Sequence, residues 1–201
     1  MFDISVTERC QRILAEYIKE GDTVIDCTAG GGWDTLFLAG QVGRTGCVLS
    51  FDVQQQALDA TEKLLGENGF LCKRISSPYE YISSTEHNAG IYLTNDSHEN
   101  LRHYYSEPSV IMYNLGYLPG GDHNIVTTAG ATLASVDTAL EIVKKNGIIS
   151  IVTYPGHEEG SKEDLLIRQL TADLPANRFE VLTIEQSNRS NAPVSYLIYK
   201  K

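Results

Sequence analysis

An asparagine followed by a glycine-rich loop is the feature of this sequence that most strongly suggests chemistry. Residues 112–123 read MYNLGYLPGGDH, so a strand-like run ends at Asn114 and glycines, a proline, an aspartate and a histidine follow. The carbonyl of an asparagine side chain can accept the hydrogens of a substrate nitrogen and fix the direction of its lone pair. Such positioning can account for most of the rate when a reaction needs little acid–base help. Asn114 is therefore a candidate for orienting a nucleophilic nitrogen.

A glycine turn earlier in the chain is the second candidate site. Residues 24–35 read VIDCTAGGGWDT, an apolar strand that leads into glycines and a helix start, where backbone N–H groups can receive a ligand. The dinucleotide pattern Gly-x-Gly-x-x-Gly fails at its third glycine, because position 35 is Thr. The arrangement acid-x-x-x-Gly-x-Gly, with Asp26 in front, fits S-adenosylmethionine better. The acid suits the ammonium group of that cofactor.

An aspartate at the end of the next strand supports a nucleotide cofactor. Asp52 ends the strand in LSFDVQ, and a carboxylate in that position can accept both hydroxyls of a ribose. A glycine turn alone is commonly only a turn, and Asp52 alone is commonly only a helix cap. Together, in this order and spacing, they favour a nucleotide-cofactor site.

Strands and helices alternate along the chain, which indicates a parallel sheet covered by helices on both faces. The last two strands, FEVLTIEQ and VSYLIYKK, are joined by a short polar turn and must therefore be antiparallel. We predict an α/β fold of the Rossmann-like class I methyltransferase type, with a mostly parallel seven-stranded sheet and a C-terminal antiparallel hairpin. We expect one domain over residues 1–201. The segment at 70–88 is the hardest to interpret and could hold a short strand or helix.

Composition restricts the classes of function. The chain has 201 residues and a net charge of −10, which argues against a protein that coats nucleic acid through bulk electrostatics. A specific RNA shape could still bind through a local basic patch. The sequence has no apolar run of membrane-spanning length and no signal peptide, and its four cysteines are scattered, so we expect a cytoplasmic protein with reduced thiols.

Several segments together resemble a known bacterial family. DCTAGGGWDTLFLA, FDVQQQAL, DSHENL, NLGYLPGGDH and YPGHEEG, spread over residues 24–160, resemble the rRNA methylase family. Its characterised members look like tRNA methyltransferases that convert 5-aminomethyl-2-thiouridine at the wobble position to the methylaminomethyl form. The resemblance implies S-adenosylmethionine as the methyl donor, the anticodon stem-loop of tRNA as the RNA-binding partner, and a homodimer.

Two departures from the family pattern stand out. The glycine turn usually reads Gly-Asn-Gly-His in the family, whereas it reads GGGW at 30–33 here, so Trp33 could alter the entrance of the pocket. The segment before DSHENL is longer than in the family pattern and could change the surface that faces tRNA.

The motifs and the family resemblance together predict which residues form the site. The predicted catalytic residues are Asn114, Tyr117 and His123. Tyr117 offers a flat face for a base, and His123 could relay a proton from the substrate amine, with Asp122 or solvent as alternatives. The predicted cofactor-binding residues are Asp26, Thr28, Gly30, Gly32, Asp34, Thr35, Asp52, Gln54, Ser97, His98, Asn114 and Gly116.

Four alternatives remain open. A methyltransferase for another RNA or for a small-molecule amine is favoured somewhat by the acidic charge. A non-catalytic module that senses the cofactor would not need the Asn114 loop, and a dehydrogenase is disfavoured by Thr35. A metal-dependent hydrolase is conceivable because His98, His123 and His157 all follow predicted strands, but their spacing matches no metal-ligand signature, so we predict no metal.

Overall fold

The computed structural model describes residues 4–85, 89–104, 107–116 and 129–201. The helices of the described residues are α1 (Val6–Leu14), α2 (Trp33–Val42), α3 (Gln55–Glu67), α4 (Pro78–Thr85), α5 (Ala129–Ile142) and α6 (Glu158–Ala172). The strands are β1 (Thr23–Asp26), β2 (Cys47–Phe51), β3 (Cys72–Ile75), β4 (Gly90–Thr94), β5 (Val110–Asn114), β6 (Ile148–Thr153), β7 (Phe179–Ile184) and β8 (Val194–Lys200).

The strands form one sheet in the order β3-β4-β2-β1-β5-β6-β8-β7. Strands β1 to β6 pair in parallel, and β8 pairs antiparallel with both β6 and β7. This arrangement confirms the predicted Rossmann-like class I methyltransferase fold with its C-terminal antiparallel hairpin. Strand β1 lies between β2 and β5, and the strand order changes direction between β1 and β5. Ligands bind at such a switch point, beyond the carboxyl ends of β1 and β5.

The sheet formed by the described residues has eight strands, whereas seven were predicted. The additional strand is β3, an edge strand that pairs in parallel with β4 and is followed by α4. Both elements lie in the segment at 70–88 that the sequence left unassigned. Because β3 is only four residues long and includes two charged residues, Lys73 and Arg74, its apolar pattern is too short to indicate a strand.

Helices cover both faces of the sheet. On one face, buried side chains of α1, α2 and α3 pack against the sheet, among them Leu14, Leu38 and Leu58. On the other face, Tyr81 of α4, Val136 of α5 and Ile167 of α6 belong to a second buried cluster. Three layers of this kind hold the carboxyl ends of the parallel strands in fixed relative positions.

The first helix begins at a capping serine and ends before its apolar pattern does. Ser5 is the N-cap of α1, and its side chain accepts a hydrogen bond from the Glu8 backbone N–H at 3.1 Å. The apolar spacing predicts a helix as far as Ile18, but α1 ends at Leu14, and Ile18 is nevertheless buried. The apolar spacing over 125–145 also predicts a helix; its described part is α5, and residues 125–128 lie outside the described ranges.

No helix within the described ranges is both long and apolar enough to span a bilayer.

Candidate active site

The carboxylate at the end of β1 links the strand, the glycine turn and α2. Asp26 is fully buried, and its Oδ1 accepts a hydrogen bond from the Thr28 backbone N–H at 3.0 Å. Its Oδ2 accepts a hydrogen bond from the Thr35 hydroxyl at 2.6 Å. The Thr35 hydroxyl also lies 3.0 Å from that of Ser50 on β2. Thr35, which excludes the dinucleotide pattern, therefore has a clear role as the partner of Asp26.

The glycine turn needs glycine for both conformation and space. Gly30 and Gly32 have φ values of 52° and 86°, in the left-handed region. A Cβ at Gly32 would lie only 2.8 Å from the Thr61 Cα of α3, so the turn packs directly against that helix. Gly32 is also the N-cap of α2 and supplies no side-chain cap.

The carboxylate at the end of β2 holds the other side of the turn. Asp52 Oδ2 accepts a hydrogen bond from the Gly30 backbone N–H at 2.9 Å, and Oδ1 accepts one from the Gln54 backbone N–H, also at 2.9 Å. Burial raises the pKa of Asp52, and these two backbone hydrogen bonds oppose that rise. Each carboxylate oxygen can accept a further hydrogen bond.

The asparagine at the end of β5 belongs to the same cluster. The Asn114 backbone N–H donates to the Thr28 hydroxyl at 2.8 Å, and Asn114 Nδ2 donates to Asp34 Oδ2 at 3.3 Å. Asp34 Oδ1 accepts a hydrogen bond from Gln11 Nε2 of α1 at 2.7 Å. Asn114 Oδ1 is buried and has no hydrogen-bond partner among the described residues. A buried carbonyl without a partner is unfavourable unless a ligand supplies a donor.

Two buried carboxylates make the site favourable for a cation. Burial is the main cause that raises the pKa of both Asp26 and Asp34, and the proximity of Asp34 raises that of Asp26 further. A positive charge placed beside them would relieve both the desolvation and the mutual repulsion.

A cavity of about 370 Å³ opens beside this cluster. Its lining residues come from α1 with its N-cap, from the start of α2 and from β5: Ser5, Thr7, Glu8, Gln11, Trp33, Asp34 and Asn114. Tyr154 follows β6, and its ring lies beside Gly116. A Cβ added at Gly116 would be 3.4 Å from Tyr154 Cδ2. Tyr154 ends the apolar run GIISIVTY, where the sequence predicts an aromatic ring that stacks on a base or closes the core.

Gln11 and the α1 wall of the cavity were missed by the sequence interpretation. Apolar spacing placed α1 against the core, and a single glutamine on such a helix is normally assigned to solvent. A polar side chain next to the buried Cys10 was the available signal, and it is a weak one.

Ser97 and His98 lie beyond β4, the neighbour of β2. The Ser97 hydroxyl accepts a hydrogen bond from the Glu99 backbone N–H at 3.3 Å and caps a short 3₁₀ helix. The His98 ring is buried edge-on against Tyr113, with 5.8 Å between ring centroids, and burial lowers the His98 pKa to about 4. The loop is tied to the site by Asn95, whose Nδ2 donates to the Asp52 backbone carbonyl at 3.0 Å.

Several predictions cannot be checked against the described residues. Tyr117 and His123, predicted to be catalytic, and Asp122, the alternative proton acceptor, lie outside them. Within the described ranges, no group of three His, Cys, Asp or Glu side chains could hold a metal ion.

Comparison with known proteins assigns the family. The model of the family described as "Putative rRNA methylase" matches residues 48–200. The chain belongs to the rRNA methylase family. The match extends from β2 to β8 and thus includes Asp52, Asn114 and the C-terminal hairpin.

Individual relatives of this rRNA methylase family member cover nearly the whole chain. The "tRNA (mnm(5)s(2)U34)-methyltransferase, chloroplastic" of Arabidopsis thaliana is 31% identical over 97% of the chain and 69% of its own length. The crystal structure of a putative rRNA-methylase from Clostridium thermocellum is 30% identical, with a TM-score of 0.85 and complete coverage of both chains. A putative methyltransferase from Streptococcus mutans in complex with SAH is 26% identical, with a TM-score of 0.81 and complete coverage of both chains.

Proposed function

We propose that this protein is an S-adenosylmethionine-dependent N-methyltransferase that acts on tRNA. It converts 5-aminomethyl-2-thiouridine at the wobble position to 5-methylaminomethyl-2-thiouridine, and the chain works as one methyltransferase domain. The observation that carries the proposal is the buried Asn114 carbonyl oxygen, which lacks a partner among the described residues and lies at the switch point of the sheet. The name of the Arabidopsis relative and the SAH in the Streptococcus mutans structure support it.

The described residues fit the methyl donor. S-adenosylmethionine is cationic at its sulfonium and ammonium groups, which suits the buried Asp26 and Asp34. Asp52 would accept the ribose hydroxyls through the lone pairs that its two backbone hydrogen bonds leave available. The cofactor contacts that we propose in addition are Thr28, Gly30, Gly32, Thr35, Gln54, Ser97, His98 and Gly116.

We propose that Ser97 and His98 lie near the adenine of the bound cofactor. Because β4 lies next to β2, residues that follow β4 are close to the end of β2, where Asp52 would hold the ribose. The low pKa keeps His98 neutral at physiological pH, so it would offer the cofactor a hydrogen bond or an apolar ring face and no charge.

The protein's contribution to catalysis is to position the substrate amine. When bound, S-adenosylmethionine supplies a methyl carbon that its sulfonium leaving group has already activated. Asn114 Oδ1 accepts an N–H of the substrate amine and thereby directs the nitrogen lone pair. Asp34 and Thr28 hold the side chain and backbone of Asn114 in place before the substrate arrives.

The substrate amine must be neutral when it reacts. An aliphatic amine is mostly protonated in neutral water, so it has to lose a proton in the site. We propose His123 as the proton relay, with Asp122 or solvent as alternatives, and Tyr117 as an aromatic contact of the flipped wobble base.

The partner and the setting complete the proposal. The substrate is the anticodon stem-loop of tRNA, the reaction takes place in the cytoplasm, and the protein works as a homodimer. Free thiols at all four cysteines support a reducing compartment. The two edge strands of the described sheet, β3 and β7, each leave one side unpaired, which a second copy could cover.

The test is an assay on a defined RNA. An anticodon stem-loop that carries 5-aminomethyl-2-thiouridine is incubated with the protein and S-adenosylmethionine, and its nucleosides are analysed by mass spectrometry. We expect 5-methylaminomethyl-2-thiouridine, and no product from a stem-loop with uridine at the same position. Methylation of small amines with no reaction on either stem-loop would contradict the tRNA assignment. Calorimetry should detect binding of S-adenosylmethionine and none of NAD.

A further inference from the structure

Trp33 is the only tryptophan of the chain and lies at the rim of the active-site cavity. It is the first residue of α2, and 69% of its surface is exposed. One edge of the indole lies beside the glycine turn, since a Cβ added at Gly31 would lie 3.5 Å from Trp33 Cδ1. Helix α2 does not need an aromatic residue there, because any good helix former could occupy its first position.

Two groups of residues line the cavity. Helix α1 and its N-cap contribute the hydroxyls of Ser5 and Thr7 and the polar side chains of Glu8 and Gln11. Helix α2 and strand β5 contribute Trp33, Asp34 and Asn114. Among the described lining residues, Trp33 provides the aromatic ring, and Asn114 provides the buried carbonyl oxygen without a partner. A ligand in this cavity would therefore contact the indole and the reactive end of the site together.

The chemistry of the proposed substrate requires its base to enter this cavity. Two single bonds separate the amine nitrogen from ring carbon C5, so the two atoms lie roughly 2.5 Å apart. An amine held by Asn114 Oδ1 consequently brings the pyrimidine ring within a few ångströms of Asn114. A cavity of about 370 Å³ is large enough for one flipped base, and it is of the size typical of small-ligand sites.

We propose that Trp33 is the stacking platform for the flipped wobble base, while polar groups of α1 contact the edge of that base. This inference rests on the proposed function and assigns the substrate subsite within it. An indole face binds any pyrimidine by stacking, and the polarisable 2-thiocarbonyl strengthens the dispersion contact.

Steady-state kinetics with the modified stem-loop tests the platform. Loss of a base–aromatic stack weakens binding by about 1–3 kcal/mol, so Trp33→Ala should raise the KM for the stem-loop roughly 5- to 150-fold. The kcat should change little, because stacking is similar in the ground state and the transition state. Trp33→Phe retains an aromatic face and should stay within about threefold of the original KM.

Matched variants separate stacking from other effects. Tyr79→Ala removes another exposed aromatic ring, on α4 away from the cavity, and should leave the KM unchanged. The affinity of Trp33→Ala for S-adenosylmethionine, measured by calorimetry, should stay within about twofold of the original protein. A large loss of cofactor affinity would overturn the proposal, because it would assign Trp33 to the cofactor. An unchanged KM in a protein that methylates the stem-loop would overturn it as well.

The single tryptophan allows an independent reading by fluorescence. Binding of the modified stem-loop in the presence of S-adenosylhomocysteine should quench Trp33, since a stacked thiolated base contacts the ring. A stem-loop with an abasic wobble position should bind with little quenching, and binding itself is followed by anisotropy of a labelled RNA. Equal quenching by both RNAs would overturn the proposal. Failure of the unsubstituted protein to methylate would contradict the proposed function, whereas the quenching comparison depends on binding alone.

Discussion

Asn114 Nδ2 lies 3.3 Å from Asp34 Oδ2, although the two residues are 80 positions apart in the chain. The other oxygen of Asp34 accepts a hydrogen bond from Gln11 at 2.7 Å. A carboxylate can only accept hydrogen bonds, so it orients the amide with its nitrogen toward Asp34 and its oxygen elsewhere. The hydrogen bond between Asn114 and Asp34 thus leaves Asn114 Oδ1 available to accept an N–H of the proposed substrate.

Removal of Asp34 should release the Asn114 amide. In Asp34→Ala, neither Gln11 nor Asn114 keeps its acceptor, and we expect kcat at saturating cofactor to fall roughly tenfold to hundredfold, since misplacement by an ångström is that costly. In Asp34→Asn, the new carbonyl can still accept from Asn114, while the Gln11 amide turns over to accept the new N–H. The kcat of Asp34→Asn should therefore stay within a few-fold of the original.

Cofactor affinity distinguishes positioning from charge in these two variants. Both variants lose a buried negative charge, so both should bind S-adenosylmethionine more weakly. If kcat falls equally in Asp34→Asn and Asp34→Ala at saturating cofactor, the positioning role is wrong.

Asp52 should determine affinity for the nucleoside part of the cofactor. In Asp52→Asn, an amide nitrogen would face the backbone N–H of Gly30 or Gln54, and the charge that strengthens bonds to the ribose would be lost. Because hydrogen bonds to charged groups contribute about 1.5–3 kcal/mol, we expect a roughly tenfold to hundredfold weaker affinity for S-adenosylhomocysteine by calorimetry. Asp59→Asn changes an exposed carboxylate on α3 and serves as the control. Equal affinities for the two variants would remove Asp52 from the cofactor site.

Cofactor binding should release a proton at mildly acidic pH. Burial, together with the nearby Asp34, raises the pKa of Asp26 to about 7. A cationic ligand favours the ionised carboxylate, so affinity for S-adenosylmethionine should rise with pH up to about neutrality. Calorimetry at about pH 6 in buffers of different ionisation enthalpy measures the released proton. Asp137→Asn, at an exposed position, should not alter the number of protons released.

The raised pKa of Asp26 also affects the stability of the unliganded protein, which should fall as the pH rises, whereas cofactor affinity should increase. Between the ordinary aspartate pKa of about 4 and the folded-state pKa, the folded state binds more protons than the unfolded state. The stability contributed by Asp26 is therefore greatest at the acidic end of this range and declines as the pH rises through it. An affinity for S-adenosylmethionine that is independent of pH would contradict the assignment of Asp26 to a cation.

Replacement by alanine should lower the free energy of unfolding at Gly32 and raise it at Gly40. Gly32→Ala places a Cβ 2.8 Å from the Thr61 Cα at a φ of 86°, so the free energy of unfolding should fall by about 1–3 kcal/mol. Gly40→Ala meets nothing within 4 Å on the exposed side of α2 and should raise it by about 0.5–1 kcal/mol. Denaturant unfolding measures both. Stabilisation by Gly32→Ala would mean that the turn does not need its left-handed backbone.

The sequence predicted the parallel sheet and its hairpin because apolar runs such as GIISIVTY allow few other interpretations. It also placed Asp26, Asp52 and Asn114 at or near the ends of predicted strands, and the carboxyl ends of parallel strands meet at one edge of a sheet. Strand β3 escaped prediction because its charged residues obscure a pattern of only four positions. Edge strands of this kind are determined by pairing with a neighbour, which a local pattern does not report.

The sequence could not predict how the site residues pair with one another. Thr35 as the partner of Asp26, and Gln11 as the partner of Asp34, depend on how helices pack on the sheet. Spacing along the chain carries no information on a contact between α1 and α2. The edge-on packing of the buried His98 ring against Tyr113 likewise depends on side-chain orientations that no motif specifies.

In the proposed mechanism the Asn114 amide aims the substrate nitrogen, and Asn114→Ala removes that amide. Methyl transfer to the modified stem-loop at saturating S-adenosylmethionine should fall at least about hundredfold, whereas the Kd for the cofactor should stay within about twofold. Asn68→Ala, at the exposed end of α3, should leave both quantities unchanged. Normal turnover by Asn114→Ala would exclude this role of Asn114.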